Sequence, residues 1–521
     1  MTALAALLMS MVSVSNLPIV KASGTIYIRA DGSIDPPAAP IQRDGDIYTL
    51  TGNITSDAHG IVIERDNMTL DGAGYTLQGP GDYEGIDLTG RSNVTINDTR
   101  ITAFRSGISL DYSSDNNISR NSIANNGFGI YLNGSSNNCI SRNNMTANNA
   151  EGIYLYGSSN NCISGNSITA NSYWGVHLSN SSNNSISGNS ITANSWHGIL
   201  LYYSSDNSIS GNNVANNGHG IFFHGSSNNS ISGNSITANN WQGIRLYYYS
   251  SNNTISGNNI TLNNEYGIYL HTSSGNRFYH NNFIGNTIQV YYYATVNVWD
   301  DGYPSGGNYW SDYTDIDLYS GPYQNETGSD GIWDHPYMID ADNQDRYSLV
   351  NPWTLPDVAV TNIALSKTVA GQGYFVPINV TVENQGSSTE TFSVTVYANT
   401  TIIETREVTL DGGASITITF TWNTTDFAKG NYTIKAAAET IPGEIDTEDN
   451  TLTDGVVTIT IPGDLDGNFE VRLVDLVILA QAYGSKPGEP KWNPNADIDD
   501  NGVVGLTDLV IMAQNYGKTA P

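Results

Sequence analysis

Two twelve-residue loops between residues 464 and 508 carry oxygen-bearing side chains at a spacing that suits calcium binding. Positions 1, 3, 5 and 12 are Asp464, Asp466, Asn468 and Asp475 in the first loop and Asp497, Asp499, Asn501 and Asp508 in the second, and position 7 is Glu470 or Val503. Ca²⁺ prefers oxygen ligands, and such loops supply them from these side chains and from the backbone carbonyl at position 7. Because both copies keep the pattern, we expect residues 462–521 to bind two Ca²⁺ ions and to fold only with them.

Each acidic loop is followed by an apolar segment with helical periodicity. VDLVILAQAYG (474–484) recurs 33 residues later as TDLVIMAQNYG (507–517). These loop–helix copies resemble the type I dockerin, the small α-helical module by which cellulosome components bind cohesins. The resemblance implies a cohesin-bearing scaffold protein as partner, contacted through positions 10 and 11, which are Leu473, Val474, Leu506 and Thr507. Phe469 and Arg472 depart from the pattern, and glycine is favoured at the position of Phe469, so the second loop is expected to bind Ca²⁺ more tightly.

Large aromatic side chains recur at equal positions of a repeat in the first half of the chain. The residues expected to contact carbohydrate are Tyr131, Tyr154, Tyr156, Trp174, Tyr202, Phe222, Tyr247 and Tyr269. Seven of them flank the inward Ile and Leu of Gly-Ile-x-Leu segments, and side chains alternate along a strand, so these seven must point outward, while Trp174 lies just before the glycine. Aromatic rings on an open face suit stacking against sugar rings. The alternative is that tyrosine, which favours strands, simply stacks on itself along the sheet.

Histidines and carboxylates of the same repeats bear on metal binding and catalysis. Five of the eight histidines lie here, and His197 and His219 are expected one rung apart, close enough to share a metal ion. Between residues 115 and 265 the carboxylates are chiefly Glu151 and Asp206, in different columns, so the carboxylate pair that glycoside hydrolysis needs is not visible. Catalysis is therefore not expected in these rungs, although acidic residues in the N-terminal rungs leave room for a lyase.

Cys139 and Cys162 are the two cysteines of the chain and lie one repeat apart. Residues at equal positions of adjacent rungs have Cα atoms roughly 5 Å apart, which lies inside the disulfide range. Either a disulfide or a pair of small core thiols fits this spacing.

The elements that must position these side chains are short strands in a repeat. Segments beginning with Ile-Ser start at Ile118, Ile140, Ile163, Ile186, Ile209, Ile231 and Ile255. Short apolar alternations between Asn, Ser and Gly leave no room for a helix, so each unit is one coil of about three strands. The sequence thus predicts a mainly β protein in which residues 24–296 form a right-handed parallel β-helix. In-register stacking would place Asn166, Asn189, Asn212, Asn234 and Asn258 in a hydrogen-bonded ladder.

The repeats and the segments after them resemble the parallel β-helix repeat family, particularly NosD-like periplasmic copper-binding proteins and related archaeal surface proteins. The resemblance covers about residues 24–353 and includes NVWDDGYPSGGNYWSDY (297–313) and DADNQDRYSLVNPW (340–353). It implies the fold but no single activity, because lyases, hydrolases, epimerases and non-enzymes share that fold. We expect residues 297–355 to cap the β-helix, since an uncovered rung is an edge open to pairing.

From residue 356 the sequence changes to alternating strands separated by turns. Runs such as DVAVTNIAL, VPINVTVENQG and SITITFTW predict an immunoglobulin-like β-sandwich of about seven strands over residues 356–461. The segment resembles the CARDB (cell-adhesion-related) domain through VENQG (382–386), FTW (420–422) and EDN (448–450). The resemblance implies an extracellular spacer or adhesion module without catalytic chemistry.

Charge and composition exclude several partners. The 521 residues include 20 Lys and Arg against 50 Asp and Glu, a net charge of −30, so the basic patch that nucleic acid or an anionic membrane requires is missing. The apolar run at residues 3–14 is too short to span a bilayer and precedes a small-residue site, which predicts a signal peptide over residues 1–22. We therefore expect a secreted, extracellular or cell-surface protein without a transmembrane anchor.

Together these features favour one functional hypothesis and two rivals. The β-helix is expected to bind a polysaccharide or cell-surface glycan, while the dockerin-like module docks to a cohesin in a Ca²⁺-dependent manner. The first rival is a polysaccharide lyase or glycoside hydrolase of a cellulosome-like assembly, since dockerins commonly carry such cargo. The second rival is a structural surface-layer protein whose β-helix only fills space.

Overall fold

A computed structural model describes residues 20–21, 24–386, 389–441, 444 and 446–520, with the backbone alone at residues 20 and 21. The predicted signal peptide at residues 1–22 lies outside the described residues, apart from those two. The chain forms two units, which divide between Pro352 and Trp353. Within the described ranges no helix is long and apolar enough to cross a membrane.

The first unit is a parallel β-helix in which each coil adds one strand to each of three sheets. Sheet 1 contains Val20–Lys21, Ile54–Thr55, Thr76–Gln78, Arg100–Thr102, Ser122–Ala124, Asn144–Thr146, Ser167–Thr169, Ser190–Thr192, Asn213–Ala215, Ser235–Thr237, Asn259–Thr261, Asn282–Ile284 and Tyr309–Trp310. Sheet 2 contains Ile26–Ile28, Ile34–Asp35, Ile61–Ile63, Glu84–Asp87, Ser106–Asp111, Phe128–Asn133, Ile153–Tyr156, Val176–Ser179, His197–Tyr202, His219–His224, Gln242–Tyr247, Tyr266–His271 and Ile288–Tyr293. Sheet 3 contains Ile41–Asp44, Ile47–Leu50, Met68–Asp71, Val94–Asn97, Asn117–Ser119, Cys139–Ser141, Cys162–Ser164, Ser185–Ser187, Ser208–Ser210, Ser230–Ser232, Thr254–Ser256 and Arg277–Tyr279. The predicted parallel β-helix is confirmed.

The core of the β-helix is a stack of identical apolar positions. In sheet 2 the inward residues Ile153, Val176, Ile199, Ile221 and Ile244 pair in register and are fully buried. Branched side chains at every second position suit a pleated strand that is buried on one face.

Asparagine ladders tie the turns of adjacent coils together. In the predicted ladder, Asn166 Nδ2 donates to Asn189 Oδ1 and Asn189 Nδ2 donates to Asn212 Oδ1, both at 2.9 Å. The same pattern continues through Asn234 and Asn258. These side chains are buried, so the hydrogen bonds satisfy amide groups that water cannot reach. The predicted ladder is confirmed.

Residues 297–352 cover the last complete coil. Trp299 stacks on Phe278 and Trp310 stacks on Phe283, with ring centroids 4.3 Å apart in both pairs. The ladder ends on the buried Asp345, whose Oδ2 accepts from the backbone N and Nδ2 of Asn308. Two strand pairs complete the segment, Tyr319–Ser320 with Glu326–Thr327 and Tyr337–Met338 with Gln344–Asp345.

The second unit begins with a β-sandwich. One sheet contains Val358–Leu365, Phe375–Asn384 and Ser415–Asn423, and the other contains Val369–Gly371, Glu390–Ala398, Thr401–Leu410, Gly430–Ala438 and Thr451–Thr460. Alternate residues of both sheets point into one core that includes Val380, Val394, Phe420 and Trp422. The predicted sandwich is confirmed.

Two short helices and a 3₁₀ turn follow the sandwich in the same unit: α1 (Leu473–Ala482), Pro494–Ala496 and α2 (Leu506–Asn515). Leu479 of α1 and Met512 of α2 are buried in a shared small core. The buried Lys367 of the sandwich contacts the second acidic loop, where Nζ donates to the Asp497 carbonyl at 2.8 Å and lies 3.2 Å from Asp500 Oδ1. The helical segment therefore packs directly on the sandwich.

Candidate functional site

The outward columns of sheet 2 run in register along the β-helix. One column pairs, rung by rung, Tyr131, Tyr154, His177, Leu200, Phe222, Arg245 and Tyr269. The neighbouring column pairs Asn133, Tyr156, Ser179, Tyr202, His224, Tyr247 and His271. All eight residues predicted to contact carbohydrate lie on this face or, for Trp174, directly before its glycine column.

Outward orientation does not make every side chain of this face accessible. Tyr156 and Tyr202 are 47% and 39% exposed, whereas His177 and Leu200 are buried. The reason is ring stacking along the column, as between Tyr154 and His177, whose ring centroids are 4.4 Å apart and nearly parallel. The accessible surface is therefore set by the edges of a packed aromatic layer.

A groove of about 410 Å³ opens in the middle of this layer. It is lined by Tyr154, Trp174, His177, Ser179, His197, Leu200, Tyr202, Phe222 and His224. Four of the eight predicted carbohydrate residues line it, while Tyr131 lies one rung before it and Tyr247 and Tyr269 lie beyond it. Four successive rungs contribute to the lining, so the groove extends about 14 Å along the stacking direction.

Tyr203 borders this groove and was missed by the sequence analysis. Its ring centroid lies 4.6 Å from that of Tyr202 and 5.4 Å from that of His224. Its φ is +47°, in a turn where the neighbouring rungs have Asn180 and Gly225. Tyr112 and Tyr248 have the same left-handed backbone at the equal turn position of other rungs, with φ of +50° and +56°, so this conformation belongs to the repeat and is not particular to the groove. The signal available in the sequence was a second tyrosine directly after Tyr202.

Two histidines of the aromatic layer, His197 in the groove and His219 on the next rung, have strongly lowered pKa values. Burial lowers the pKa of His197 to about 3 and that of His219 to about 2. Their Nδ1 atoms, and that of His224, are buried without a hydrogen-bond partner in the described chain. His177 differs, because its Nδ1 lies 3.3 Å from Glu151 Oε1. His197 and His219 are thus neutral imidazoles that can exchange hydrogen bonds with hydroxyl groups.

The carboxylates near the groove are not arranged as an exposed acid–base pair. Glu151 is buried against His177, whereas Asp206 lies exposed in a turn with a φ of +58°. The two carboxylates therefore lie in different environments, one buried and one exposed.

The two cysteines are neighbours on adjacent rungs of sheet 3. Cys139 and Cys162 are Cα partners in the parallel register, and both are free thiols in the structure. Burial, with a further contribution from Cys162, raises the pKa of Cys139 to about 11. A disulfide between them stays a prediction.

The two acidic loops fold in the same way. Asp475 accepts hydrogen bonds from the backbone N–H groups of Leu465 and Arg472, both at 2.8 Å. Asp508 accepts from Ile498 and Gly505 in the second loop, both at 2.7 Å. The last carboxylate of each loop thus ties the beginning of its loop to the residue before the following helix.

Each loop brings three carboxylates close to one another. One oxygen from each of Asp464, Asp466 and Asp475 lies within 4.8 Å of the others, and the same holds for Asp497, Asp499 and Asp508. Across the residues that the structure describes, these are the only clusters of three or more imidazole, thiol or carboxylate groups so placed. Such oxygen donors fit Ca²⁺.

The remaining predicted ligands lie at the same turns. Asn468 Oδ1 and Asn501 Oδ1 accept from the backbone N–H of Glu470 and of Val503, at 2.9 and 3.0 Å. Phe469 has a φ of +66°, close to the +81° of Gly502. The first loop therefore makes the same turn as the second, at the cost of a left-handed phenylalanine.

The residues predicted to contact a cohesin lie on the free surface of the two helices. Leu473, Val474 and Leu506 are more than half exposed, and Thr507 is exposed beside them. The exposed leucines are at equal positions of the two helices, and Val474 and Thr507 lie beside them, so the helices present paired surfaces that are suited to a protein partner.

Comparison with known proteins gives distant likenesses in structure. The A-module of an Azotobacter vinelandii mannuronan C-5 epimerase is 19% identical over 49% of this chain and 79% of that chain, with a TM-score of 0.36. The Dettilon tailspike protein is 15% identical over 80% and 86%, with a TM-score of 0.42. A CARDB domain from Pyrococcus furiosus, solved in complex with di-metal ions, is 27% identical over 20% and 96%, with a TM-score of 0.19. No curated protein matches the chain.

Two family models match the sequence. The model described as CARDB matches residues 355–453, which form the sandwich. The model described as periplasmic copper-binding protein (NosD) matches residues 39–195 and 171–315, and these matches together span more than half of the 521 residues. The chain therefore belongs to the NosD family of β-helix proteins.

Proposed function

We propose that this protein is a secreted, modular cell-surface protein that binds carbohydrate along the groove of its β-helix. The observation that carries the proposal is the groove itself, an opening that four rungs line with rings. Aromatic rings contribute about 0.5–1.5 kcal/mol each beyond the area they bury. The neutral histidines supply hydrogen-bonding groups among those rings, which is what a polyhydroxylated chain requires.

The repeat supplies conformationally matched substitutions for the test. Tyr202 becomes serine, as at Ser179 one rung earlier, and Tyr203 becomes asparagine, as at Asn180. Both variants keep a residue that the fold already accepts at that position. Tyr323, which is 84% exposed outside the groove, is replaced by alanine as the control.

Binding to a polysaccharide panel is measured by affinity electrophoresis, and released sugars are assayed in parallel. The two groove variants should migrate with less retardation than wild type, while Tyr323→Ala should not differ from it. If the wild-type protein is not retarded by any polysaccharide, the proposal is wrong. New reducing ends or unsaturated products would establish the enzyme instead.

The acidic loops support a second part of the proposal, Ca²⁺-dependent docking of residues 462–521 to a cohesin-bearing partner. Each loop brings three carboxylates together, and their mutual repulsion is relieved when a cation binds. The paired surfaces of α1 and α2 are then available to the partner.

Calorimetry on the full chain tests this docking module. Two Ca²⁺ ions should bind to wild type and one to the Asp499→Asn variant. The control is Asp426→Asn, which removes an equal charge from an exposed position of the sandwich. A stoichiometry that is unchanged by Asp499→Asn would contradict the assignment, and binding of a cohesin in the presence of a chelator would contradict the mechanism.

Copper binding by the groove is a second candidate, because the description of the NosD family names that metal. It is supported by His197 and His219, whose ring centroids are 4.7 Å apart and whose Nδ1 atoms have no partner in the described chain. Their low pKa values keep the imidazoles neutral, as metal ligands must be. Copper binding, measured by titration, should be lost in His197→Gln. Glutamine is chosen because Gln242 occupies the same column two rungs later. Unchanged binding would exclude His197 and His219 as the copper ligands.

A further inference from the structure

Arg245 occupies the rung directly after the groove. It is the partner of Phe222, a lining residue, and its Cζ lies 4.8 Å from the centre of that ring. Tyr247 and Tyr269 flank it on the other sides, each with the ring centre 5.0 Å from Cζ. Three rings therefore hold the guanidinium in a fixed place at the end of the aromatic layer.

The charge of Arg245 has no carboxylate partner in the part of the chain that the structure describes. Nine of the thirteen arginines form ion pairs there, and Arg245 is not among them. Its one hydrogen bond is the 3.4 Å contact between Nη1 and His219 Nε2, and its Nε is buried without an acceptor. A half-buried guanidinium without an anion leaves strong donors unsatisfied.

The central rungs also differ in charge from the rest of the molecule. Residues 115–265 contain three cationic side chains, Arg120, Arg142 and Arg245, against four carboxylates, Asp115, Glu151, Asp206 and Glu265, which gives −1 compared with −30 for the whole chain. Charges farther away than about 8 Å are largely screened at physiological ionic strength. An anion at the groove therefore meets far less negative charge than it would elsewhere on the molecule.

Arg245 is the one cation of this surface that reaches the groove. The histidines around it stay uncharged, because burial and the neighbouring guanidinium both lower the pKa values of His197 and His219. Arg120 is already paired with Asp98, and Arg142 lies in a turn after sheet 3. One positive charge thus stands at one end of the aromatic groove.

We infer that the ligand of the groove is an anionic polysaccharide, and that Arg245 binds its carboxylate or sulfate groups while the rings stack on its sugars. This inference rests on the proposed carbohydrate function and names the class of ligand. A guanidinium is suited to both groups, since its planar donors match two oxygens of a carboxylate or a sulfate. Arg245 is therefore the residue that makes the groove prefer anionic glycans over neutral ones.

The test compares polysaccharides that differ only in charge. Polygalacturonate and alginate are measured against their neutral esters, and dextran sulfate against dextran, with the full-length protein and with Ca²⁺ or a chelator. Arg245→Tyr is the test variant, because Tyr269 occupies the same column on the next rung. Arg142→Gly is the control, which removes an equal charge from a turn where the next rung has Gly165.

Wild type should bind at least one anionic polymer about tenfold or more tightly than its neutral form, the contribution of one charge-assisted hydrogen bond. Arg245→Tyr should lose this preference and keep weak binding, whereas Arg142→Gly should keep it. The carboxylate and sulfate arms then show which group is recognised.

Two results would overturn the inference in distinguishable ways. Equal affinity for charged and neutral forms, or a preference that survives Arg245→Tyr or requires Ca²⁺, would refute the role of Arg245 and leave carbohydrate binding intact. Absence of binding to every polymer, charged and neutral, would refute the proposed function and this inference with it.

Discussion

Replacing Asn189 by alanine should strongly weaken the β-helix, because this side chain joins three coils. Its Nδ2 donates to the carbonyls of Ile163 and Ser187 and to Asn212 Oδ1, at 2.9, 3.1 and 2.9 Å. Its Oδ1 accepts from the backbone N and from Nδ2 of Asn166, both at 2.9 Å. The side chain is almost fully buried, so alanine leaves these partners without an immediate replacement.

The magnitude follows from these five hydrogen bonds. A typical hydrogen bond contributes about 1 kcal/mol net, and a buried donor left without an acceptor costs about 1–3 kcal/mol. The three donated bonds share two hydrogens, which lowers their sum, and water entering the vacated space recovers part of the loss. We therefore expect Asn189→Ala to reduce the free energy of unfolding by about 3–5 kcal/mol.

The assay must show in which coils of the β-helix the stability is lost. Hydrogen exchange followed by mass spectrometry should show the largest loss of protection in the coils that contain Asn166, Asn189 and Asn212, because each coil contacts only its neighbours. The control is Asn213→Ala, since Asn213 lies one position beyond the ladder and is exposed. Its removal should change protection by less than about 0.5 kcal/mol.

Equal effects of the two substitutions would refute the reasoning, because the ladder would then contribute no more than an exposed amide. A loss spread evenly over all coils would refute the local part of the argument and indicate that the β-helix unfolds as one cooperative unit.

Three further changes test other parts of the molecule. Burial raises the pKa of Asp345 from 3.8 to about 7, so its stabilising contribution is complete below pH 3.8 and is lost as the pH rises through 7. In wild type the free energy of unfolding, measured by urea titration, should therefore fall by on the order of 4 kcal/mol across this pH range. Asp345→Asn should remove this pH dependence. Lys367→Met should lower the melting temperature, because it leaves Asp500 without its buried partner. The same substitution should raise the Ca²⁺ affinity of the second loop, because it removes a nearby positive charge. Weaker Ca²⁺ binding would contradict this reasoning. Gly198→Ala should destabilise the β-helix by about 1–3 kcal/mol, since the added Cβ would lie 2.4 Å from Val214 Cγ1, and an unchanged denaturation midpoint would show that the coil can shift.

The β-helix could be predicted from the sequence because its information is periodic. A repeat of 22 to 24 residues determines which residues stack, so the pairing of Ile163 with Ile186 and the ladder through Asn189 follow from counting alone. The β-sandwich follows in the same way from alternation of apolar and polar residues. Both predictions depend on local pattern and on no contact between distant segments.

The groove could not be predicted in the same way, because exposure depends on how neighbouring side chains fill the space between them. His177 and Tyr202 both point outward, yet His177 is buried by stacking on Tyr154 and by an edge contact with Trp174, whereas Tyr202 stays accessible. The contact of Lys367 with the second acidic loop joins residues 130 positions apart, and no repeat indicates it. Side-chain packing and long-range contacts are the parts that a periodic pattern does not specify.

The residues that depart from the repeat are the ones that give this surface its chemistry. Inward isoleucines and ladder asparagines are nearly the same on every rung, so they determine the fold and carry no information about a ligand. In the outward column, by contrast, Arg245 is the single charged residue among rings and a leucine. A residue that the repeat does not require, and that leaves a charge unpaired, costs stability without improving the fold. This cost, directly beside the aromatic groove, is the physical reason for placing the binding site at this part of the β-helix.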